Sequence, residues 1–83
     1  MSDVRAHFGN AVRLRRKELG LSQEKLAEQA NLHRTYLADV ERGERNVSLE
    51  NIVALIRALE LSLSEFFAIY FEESNREQDA DDL

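Results

Sequence analysis

Residues 23–42 read QEKLAEQANLHRTYLADVER, and this stretch decides the fold. Its apolar residues recur at helical spacing on both sides of Asn31, which predicts two short helices. Asn31 tolerates positive φ and breaks the first helix, and the second runs from about His33 to Arg42. Gly43 then ends the second helix, because glycine readily adopts the left-handed conformation at a helix C-terminus. The stretch therefore predicts two short helices joined by a tight turn.

The same stretch meets the steric requirements of two helices that cross at a steep angle. Only a small side chain fits at the crossing, where Ala27 stands, and four residues later Asn31 suits the sharp turn. The flanking positions must be apolar to seal the crossing, and they are Leu26, Ala30, Leu32, Leu37 and Val40. An ordinary helical hairpin with coincidental spacing is the alternative. Because all three requirements are met together, the pattern favours a helix-turn-helix.

The rest of the chain is also predicted to be helical. Gly20 is placed to end a first helix, and Ser48 to cap the start of a fourth. Ser62 and Glu65 form a capping box for a fifth. No stretch alternates with period two, and no Asn-Gly or Asp-Gly turn occurs. We therefore predict an all-α fold of five short helices, in which helices 2 and 3 form the helix-turn-helix.

The composition changes abruptly after residue 71, where the sequence reads EESNREQDADDL. Such a charged run cannot bury an apolar core. We expect one domain over residues 1–71 and an acidic, disordered tail over residues 72–83. The tail holds six acidic residues and one arginine, so it accounts for the whole formal charge of −5. Residues 1–71 are neutral overall, and only a local cluster of bases among them could form a basic surface.

The sequence contains little that suits catalysis or metal binding. It has no cysteine, and its two histidines, His7 and His33, are far apart. An enzyme needs a nucleophile, a base and an orienting group in one cleft, and a metal site needs ligands at suitable spacing. We expect no enzyme activity, metal or cofactor. No apolar run has the length of a membrane span and no signal-peptide pattern is present, so we expect a cytoplasmic protein.

Residues 9–67 resemble the lambda-repressor-like helix-turn-helix family, also called Cro/CI or XRE. The resemblance rests on GLSQEKLAEQANLHRTYLADVERG followed by SLENIVALIRALEL. The run LHRTYLADVERGERNVSL is most similar to the controller proteins of restriction–modification systems. The resemblance implies a bacterial transcription regulator that binds a pseudo-palindromic operator as a homodimer and controls its own operon. It also implies that the bound protein is associated with the nucleoid.

Three positions depart from the family pattern. Asn31 replaces the usual glycine of the turn, which is conservative because asparagine tolerates the same backbone conformation. Glu60 replaces the usual glycine before the last helix, so we expect that turn to have a different shape. Arg15 replaces a frequent leucine of the first helix, and we expect its aliphatic stem to cover the core while its charged head stays in water.

In such motifs the start of the third helix enters the major groove of double-stranded DNA. Arg34 lies there and matches the O6/N7 edge of guanine, with a phosphate contact as the alternative. Thr35 can bond a base or pack its methyl group on thymine. The resemblance implies that Asp39 also faces the bases. Tyr36 is expected to contact the DNA backbone or a thymine methyl group rather than the core.

Phosphate contacts fix the register of a protein on DNA without reading sequence. Gln23 opens the second helix, where its amide and the helix N–H groups can hold a phosphate, and the resemblance implies the same role. Arg45 and Asn46 follow the third helix and are placed to hold the next phosphate, and Arg42 is a further candidate. A turn residue that bonds its own backbone is the alternative for Asn46.

Two further expectations concern structure rather than DNA. The family carries arginine and glutamate at the positions of Arg16 and Glu41, which implies a buried ion pair between helices 1 and 3.

The fifth helix carries two apolar stripes, of which one is enough to dock it. One stripe holds Leu63, Phe67, Tyr70 and Phe71, and the other holds Phe66 and Ile69. We predict a two-fold dimer in which Tyr70 and Phe71 are the first choice for the interface and Phe67 and Ile69 the next. A helix buried on both sides is the alternative.

Other functions are compatible with this fold. An antitoxin or a phage-type repressor would use the same motif, and a protein-interaction adaptor would keep the fold without binding DNA. The residue types at the start of the third helix favour DNA binding over the adaptor. Glu24 and Glu28 form an acidic surface that could contact RNA polymerase, although acidic side chains on a helix surface are usually only solvated.

Overall fold

The computed structural model describes residues 4–71, and all of the regular structure within that range is helical. Four helices span Val4–Glu18 (α1), Gln23–Ala30 (α2), Arg34–Glu41 (α3) and Leu49–Ala58 (α4). A fifth helix (α5) begins at residue 63 and continues to residue 71, where the described range ends. The predicted five-helix, all-α fold is confirmed. The predicted tail over residues 72–83 lies outside the described residues.

Side-chain caps begin three of the helices. Ser22 accepts a hydrogen bond from the backbone N–H of Lys25 at the start of α2, and Ser48 caps α4 in the same way. At the start of α5, Ser62 Oγ accepts from the backbone N–H of Glu65 at 3.1 Å, and Glu65 Oε1 accepts from that of Ser62 at 2.8 Å. This is the predicted capping box. His33 stands at the N-cap position of α3, but its side chain makes no capping bond.

The core lies where the five helices meet. α1 packs on α3, and α2 packs on both α3 and α4. The side chains buried at this centre are Phe8, Val12, Leu26, Leu37, Val40, Leu55, Ile56, Leu59 and Phe66. Phe66 from α5 is completely buried and contacts the ring of Phe8 edge-on, with the two centroids 5.7 Å apart. Phe66 and Ile69 were placed on one apolar stripe, but they differ in burial. Ile69 is 61% exposed, whereas Phe66 is buried.

Two close backbone approaches depend on glycine. A Cβ atom at Gly9 would lie 2.1 Å from the carbonyl oxygen of Val40, so α1 and α3 can approach this closely only because residue 9 has no side chain. Gly43 has φ of +76°, and a Cβ there would lie 2.8 Å from Cα of Ala6. These two glycines place the N-terminal half of α1 directly against the C-terminal end of α3.

Two departures from the family pattern are explained by the backbone. Asn31 has φ of 60° and Glu60 has φ of 66°, so both adopt the left-handed conformation that glycine favours. The turn before α5 thus keeps a left-handed residue despite the glutamate. Arg15 makes a contact that was not predicted, although 21% of its side chain remains exposed. Its Nε donates to the carbonyl oxygen of Leu59 at 3.1 Å and caps the C-terminal end of α4.

Candidate nucleic-acid interface

The turn between α2 and α3 is tied by backbone hydrogen bonds. Asn31 N–H donates to the carbonyl of Glu28, and Leu32 N–H donates to that of Ala27 at 2.8 Å. Ala27 is buried at the crossing, as its small size requires. On α3, Leu37 and Val40 are buried against this crossing. The orientation of α3 is therefore fixed by packing along one whole side.

The opposite side of α3 faces solvent. Arg34 and Thr35, the first two residues of the helix, are exposed, and Tyr36 and Asp39 are half-buried. The N-terminal end of α3 thus presents a guanidinium and a hydroxyl group outward from a rigidly packed helix. These groups are hydrogen-bond donors of the kinds that read base edges in the major groove.

Gln23 lies at the N-terminus of α2 and is half-buried. Its Nε2 donates to Oε1 of Glu41 at 2.9 Å. A carboxamide nitrogen carries two hydrogens, so this bond orients the side chain and leaves one N–H for another acceptor. The arrangement is compatible with the predicted phosphate contact.

An ionic cluster connects α3 to the loop that follows it. Asp39 Oδ1 accepts from Arg42 Nη2, and Asp39 Oδ2 accepts from Arg45 Nε at 3.3 Å. Arg42 Nε also donates to Glu44 Oε1 at 3.2 Å. The guanidinium carbon of Arg45 lies 5.0 Å from the centre of the Tyr36 ring, which places the cation over an aromatic face. These side chains form one group at the C-terminal end of α3 and in the loop after it.

Tyr36 and Asn46, which lie near this group, differ in burial and in hydrogen bonding. The hydroxyl oxygen of Tyr36 accepts from Asn51 Nδ2 at 3.1 Å, which links α3 to α4. Tyr36 also packs on the core with part of its ring. Tyr36 was predicted to contact DNA rather than the core, and its position is compatible with both. Asn46 is exposed in the loop after α3.

Arg16 and Glu41 form a buried ion pair that joins α1 to α3. Arg16 Nε donates to Glu41 Oε2 at 2.7 Å, and Arg16 Nη2 donates to Oε1 at 3.0 Å. Arg16 Nη1 also donates to the carbonyl of Leu21 at 2.8 Å. Together with Gln23, the pair connects α1, α2 and α3 at the C-terminal end of α3.

α5 is held to α1 by aromatic and polar contacts. The ring of His7 stacks on that of Phe71 at a centroid distance of 4.0 Å. Tyr70 donates its hydroxyl hydrogen to Glu18 Oε1 at 2.5 Å. Burial of the phenol, together with the Glu18 carboxylate, raises the pKa of Tyr70 above its ordinary value. Tyr70, Phe71 and Phe67 are half-buried, so they already pack within the protomer.

An open apolar groove of about 350 Å³ runs between α1, α4 and α5. Phe8, Val47, Ile52, Phe67 and Phe71 are among the side chains that line it. The groove lies beside two of the four side chains predicted for the dimer interface.

Among residues 4–71 no group of three or more metal-ligating side chains comes together. No helix within the same range is long and apolar enough to cross a membrane.

Comparison with known proteins agrees with this geometry. The model of the helix-turn-helix family matches residues 12–66. Control protein C.BamHI of Bacillus amyloliquefaciens is 51% identical over 59 residues, which cover 70% of this chain and 73% of the relative. This chain belongs to the helix-turn-helix family of controller proteins. Control protein C.MunI of Mycoplasma sp is 44% identical over 69 residues, which cover 82% of this chain and 93% of the relative.

Solved structures of controller proteins have the same fold. The restriction–modification controller protein C.AhdI from Aeromonas hydrophila is 48% identical, with a TM-score of 0.71 over 75% of this chain and 94% of that chain. The controller protein C.Esp1396I has been solved as a tetramer in complex with its natural 35 base-pair operator. It is 32% identical, with a TM-score of 0.77 over 82% of this chain and 90% of that chain.

Some contacts at the candidate site were not predicted from the sequence. Sequence spacing gives no indication of the Gln23–Glu41 bond, because its two residues lie 18 positions apart on different helices. The cluster around Asp39 was missed as well, although the i, i+3 spacing of Asp39 and Arg42 on one helix was a visible signal. The close approach at Gly9 has no local signal, since the residue that it meets is more than thirty positions away.

Proposed function

We propose that this chain is a sequence-specific DNA-binding transcription regulator of the restriction–modification controller type. It acts as a homodimer on a pseudo-palindromic operator and controls its own operon, in the bacterial cytoplasm and on the nucleoid when bound. The observation that carries the proposal is the exposure of Arg34 and Thr35 at the start of a helix whose other side is locked in the core. A binding role is favoured over catalysis, because a guanidinium and a hydroxyl group at the start of a packed helix suit the recognition of base edges.

In this proposal Arg34 reads a guanine and Thr35 a neighbouring base. Tyr36 contributes a contact at the edge of the same surface, where part of its ring is accessible. Arg34 and Thr35 lie at the N-terminal end of α3, which is the end that enters the major groove in helix-turn-helix proteins.

Phosphate contacts are assigned to the surrounding polar side chains. Gln23 holds one phosphate with its remaining amide hydrogen and the N–H groups at the start of α2. Arg42, Arg45 and Asn46 are exposed after α3 and hold the phosphate beyond it. Because both sites lie beside α3, phosphate contacts there would fix its register in the groove.

Dimerisation is proposed to use α5 and the apolar groove beside it. Ile69 is 61% exposed, and Leu49 of α4 is 71% exposed. Phe67 and Phe71 line the groove, so a partner helix could bury their accessible edges. Tyr70 would contribute less than its first rank in the sequence prediction suggested, because its hydroxyl is already bonded to Glu18. A dimer would place two recognition helices about 34–36 Å apart, one turn of DNA.

The proposal also includes a contact with RNA polymerase through Glu24 and Glu28. Both side chains are exposed on α2. Glu28 Oε1 lies 3.7 Å from Lys25 Nζ, and this cation partly offsets the negative potential of the surface. An antitoxin or phage-type repressor would bind DNA through the same residues. The genes beside this one, above all a methyltransferase or an endonuclease, would distinguish these alternatives.

The test has a DNA arm and an assembly arm. Selection from random duplexes should give a motif with two inverted half-sites about ten base pairs apart. Sedimentation at micromolar concentration should give a dimer for the wild type and a monomer for Ile69→Asp. Leu14→Asp is the control, since Leu14 is also exposed but is assigned no role. A wild type that selects no sequence, or that binds one half-site as a monomer, would refute the proposal.

A further inference from the structure

We infer that Asp39 is a positioning residue that holds Arg42 and Arg45 ready for phosphate, and that it does not read a base. This inference rests on the proposed function. It replaces the base-reading role that the sequence resemblance implied for Asp39.

Both oxygens of the Asp39 carboxylate are already engaged. Oδ1 accepts from Arg42 and Oδ2 accepts from Arg45, and the side chain is only 21% exposed. A cytosine amine would therefore have to approach an oxygen that already accepts from an arginine, on a side chain that is largely buried. Each arginine bond joins two charged groups, whereas a bond from a base amine would have only one charged partner, so the carboxylate favours the arginines.

The two arginines are long side chains, and ordering them costs conformational entropy. Their side chains are 55% and 48% exposed, so water alone would leave them in many rotamers. Ordering such a side chain at an interface costs free energy of binding. Asp39 lowers that cost in advance, because it anchors both guanidinium groups from one position on α3.

The surroundings fix Arg45 from a second direction. Its guanidinium lies over the ring of Tyr36, which is itself bonded to Asn51 of α4. The backbone also closes this loop, since Glu44 N–H donates to the carbonyl oxygen of Asp39 at 2.9 Å. Arg45 is thus held against α3 by the Asp39 carboxylate and the Tyr36 ring, and the bond to Asp39 uses its Nε rather than its terminal amino groups.

The sign of the charge effect makes the inference testable. Asp39 is an anion close to the proposed path of the DNA backbone, so simple electrostatics predicts that its neutralisation strengthens binding. A positioning role predicts the opposite result. The two effects can therefore be separated by the direction of one measured change.

The experiment compares Asp39→Asn and Asp39→Ala with Glu44→Gln in the full-length chain. Glu44 is the matched control, because it also pairs with Arg42 but is 61% exposed and does not bond Arg45. Binding is measured on the selected operator, on operators with single base-pair changes and on random duplex, over a range of salt concentrations. Thermal melting checks that each variant is folded.

We expect both Asp39 variants to bind every duplex more weakly, by roughly threefold to tenfold, with unchanged base preference. The dependence of affinity on salt should become shallower, because a phosphate contact is lost. Glu44→Gln should bind equally well or more tightly. Arg45→Ala should weaken binding less in the Asp39→Asn background than in the wild type, since the two residues act together.

Tighter or unchanged binding by the Asp39 variants would overturn the inference. A relaxed preference at one base pair, with no coupling to Arg45, would overturn it in favour of base reading. The wild type is measured in the same series, so a failure of the proposed function is distinguishable. If the wild type prefers no duplex over random DNA, the proposed function itself is wrong.

Discussion

Arg16 and Glu41 are joined by two hydrogen bonds, from Nε to Oε2 at 2.7 Å and from Nη2 to Oε1 at 3.0 Å. Only 10% of the arginine side chain and 3% of the glutamate side chain are exposed. Gln23 donates to the same Oε1, so one carboxylate links α1, α2 and α3. The buried pair therefore supports the surface on which DNA is proposed to bind.

Glu41→Ala should lower the free energy of unfolding by about 3–5 kcal/mol, because it leaves Arg16 buried without its partner. DNA binding should weaken as well, since Gln23 loses its acceptor. Urea unfolding measures the first effect. Glu28→Ala is the control, because Glu28 is exposed and pairs only with Lys25 at 3.7 Å, and it should change stability by less than about 1 kcal/mol. Equal stability of Glu41→Ala and the wild type would show that the pair does not hold the helices together.

Gly9→Ala should be strongly destabilising. Its methyl group would lie 2.1 Å from the carbonyl oxygen of Val40, so α1 and α3 would have to separate. Overpacking of this kind costs about 1–3 kcal/mol or more. Gly20→Ala provides a contrast, because a Cβ at Gly20 meets nothing within 4 Å and the cost there comes from its positive φ alone. Thermal melting of both variants checks the difference, and a Gly9→Ala protein as stable as the wild type would contradict the packing.

Stability should fall in alkaline solution through Tyr70. Burial and the Glu18 carboxylate raise its pKa in the folded state above the ordinary value near 10, so the folded protein binds the phenolic proton more tightly than the unfolded chain. This contribution is complete below about pH 10 and is lost as the pH rises through the raised value. Urea unfolding across that range should show a smaller alkaline loss for Tyr70→Phe than for the wild type. Identical pH profiles would exclude the contribution.

Deletion of residues 72–83 should leave the domain folded and tighten binding to random DNA. This segment carries the net negative charge of the sequence and repels phosphate over a Debye length of about 8 Å at physiological salt. The gain should be a few-fold at low salt and should vanish at about 1 M salt. Fluorescence anisotropy of labelled DNA measures it, with circular dichroism to check folding. A truncated chain that unfolds would show that the segment belongs to the core or to the interface.

Much of the fold could be predicted because its signals are local. Ser62 and Glu65 specify a cap by their spacing alone, and Ala27 with Asn31 specifies the helix crossing. The resemblance to the family supplied the partners Arg16 and Glu41. What could not be predicted depends on side chains that meet from distant parts of the chain, such as Arg15 with the carbonyl of Leu59. Amphipathic spacing on α5 gave two apolar stripes, but only packing determines that Phe66 lies at the centre of the core.

The most direct test of DNA recognition is the ratio of affinities for the selected operator and for random duplex. Arg34→Ala should lower the corresponding difference in binding free energy by about 1–3 kcal/mol per half-site. It should leave weak, salt-sensitive binding. Gln23→Ala should weaken both duplexes alike, and Arg57→Ala, an exposed arginine on α4, should change neither. Equal loss on both duplexes for Arg34→Ala would contradict its role as the base reader and the account of how α3 recognises DNA.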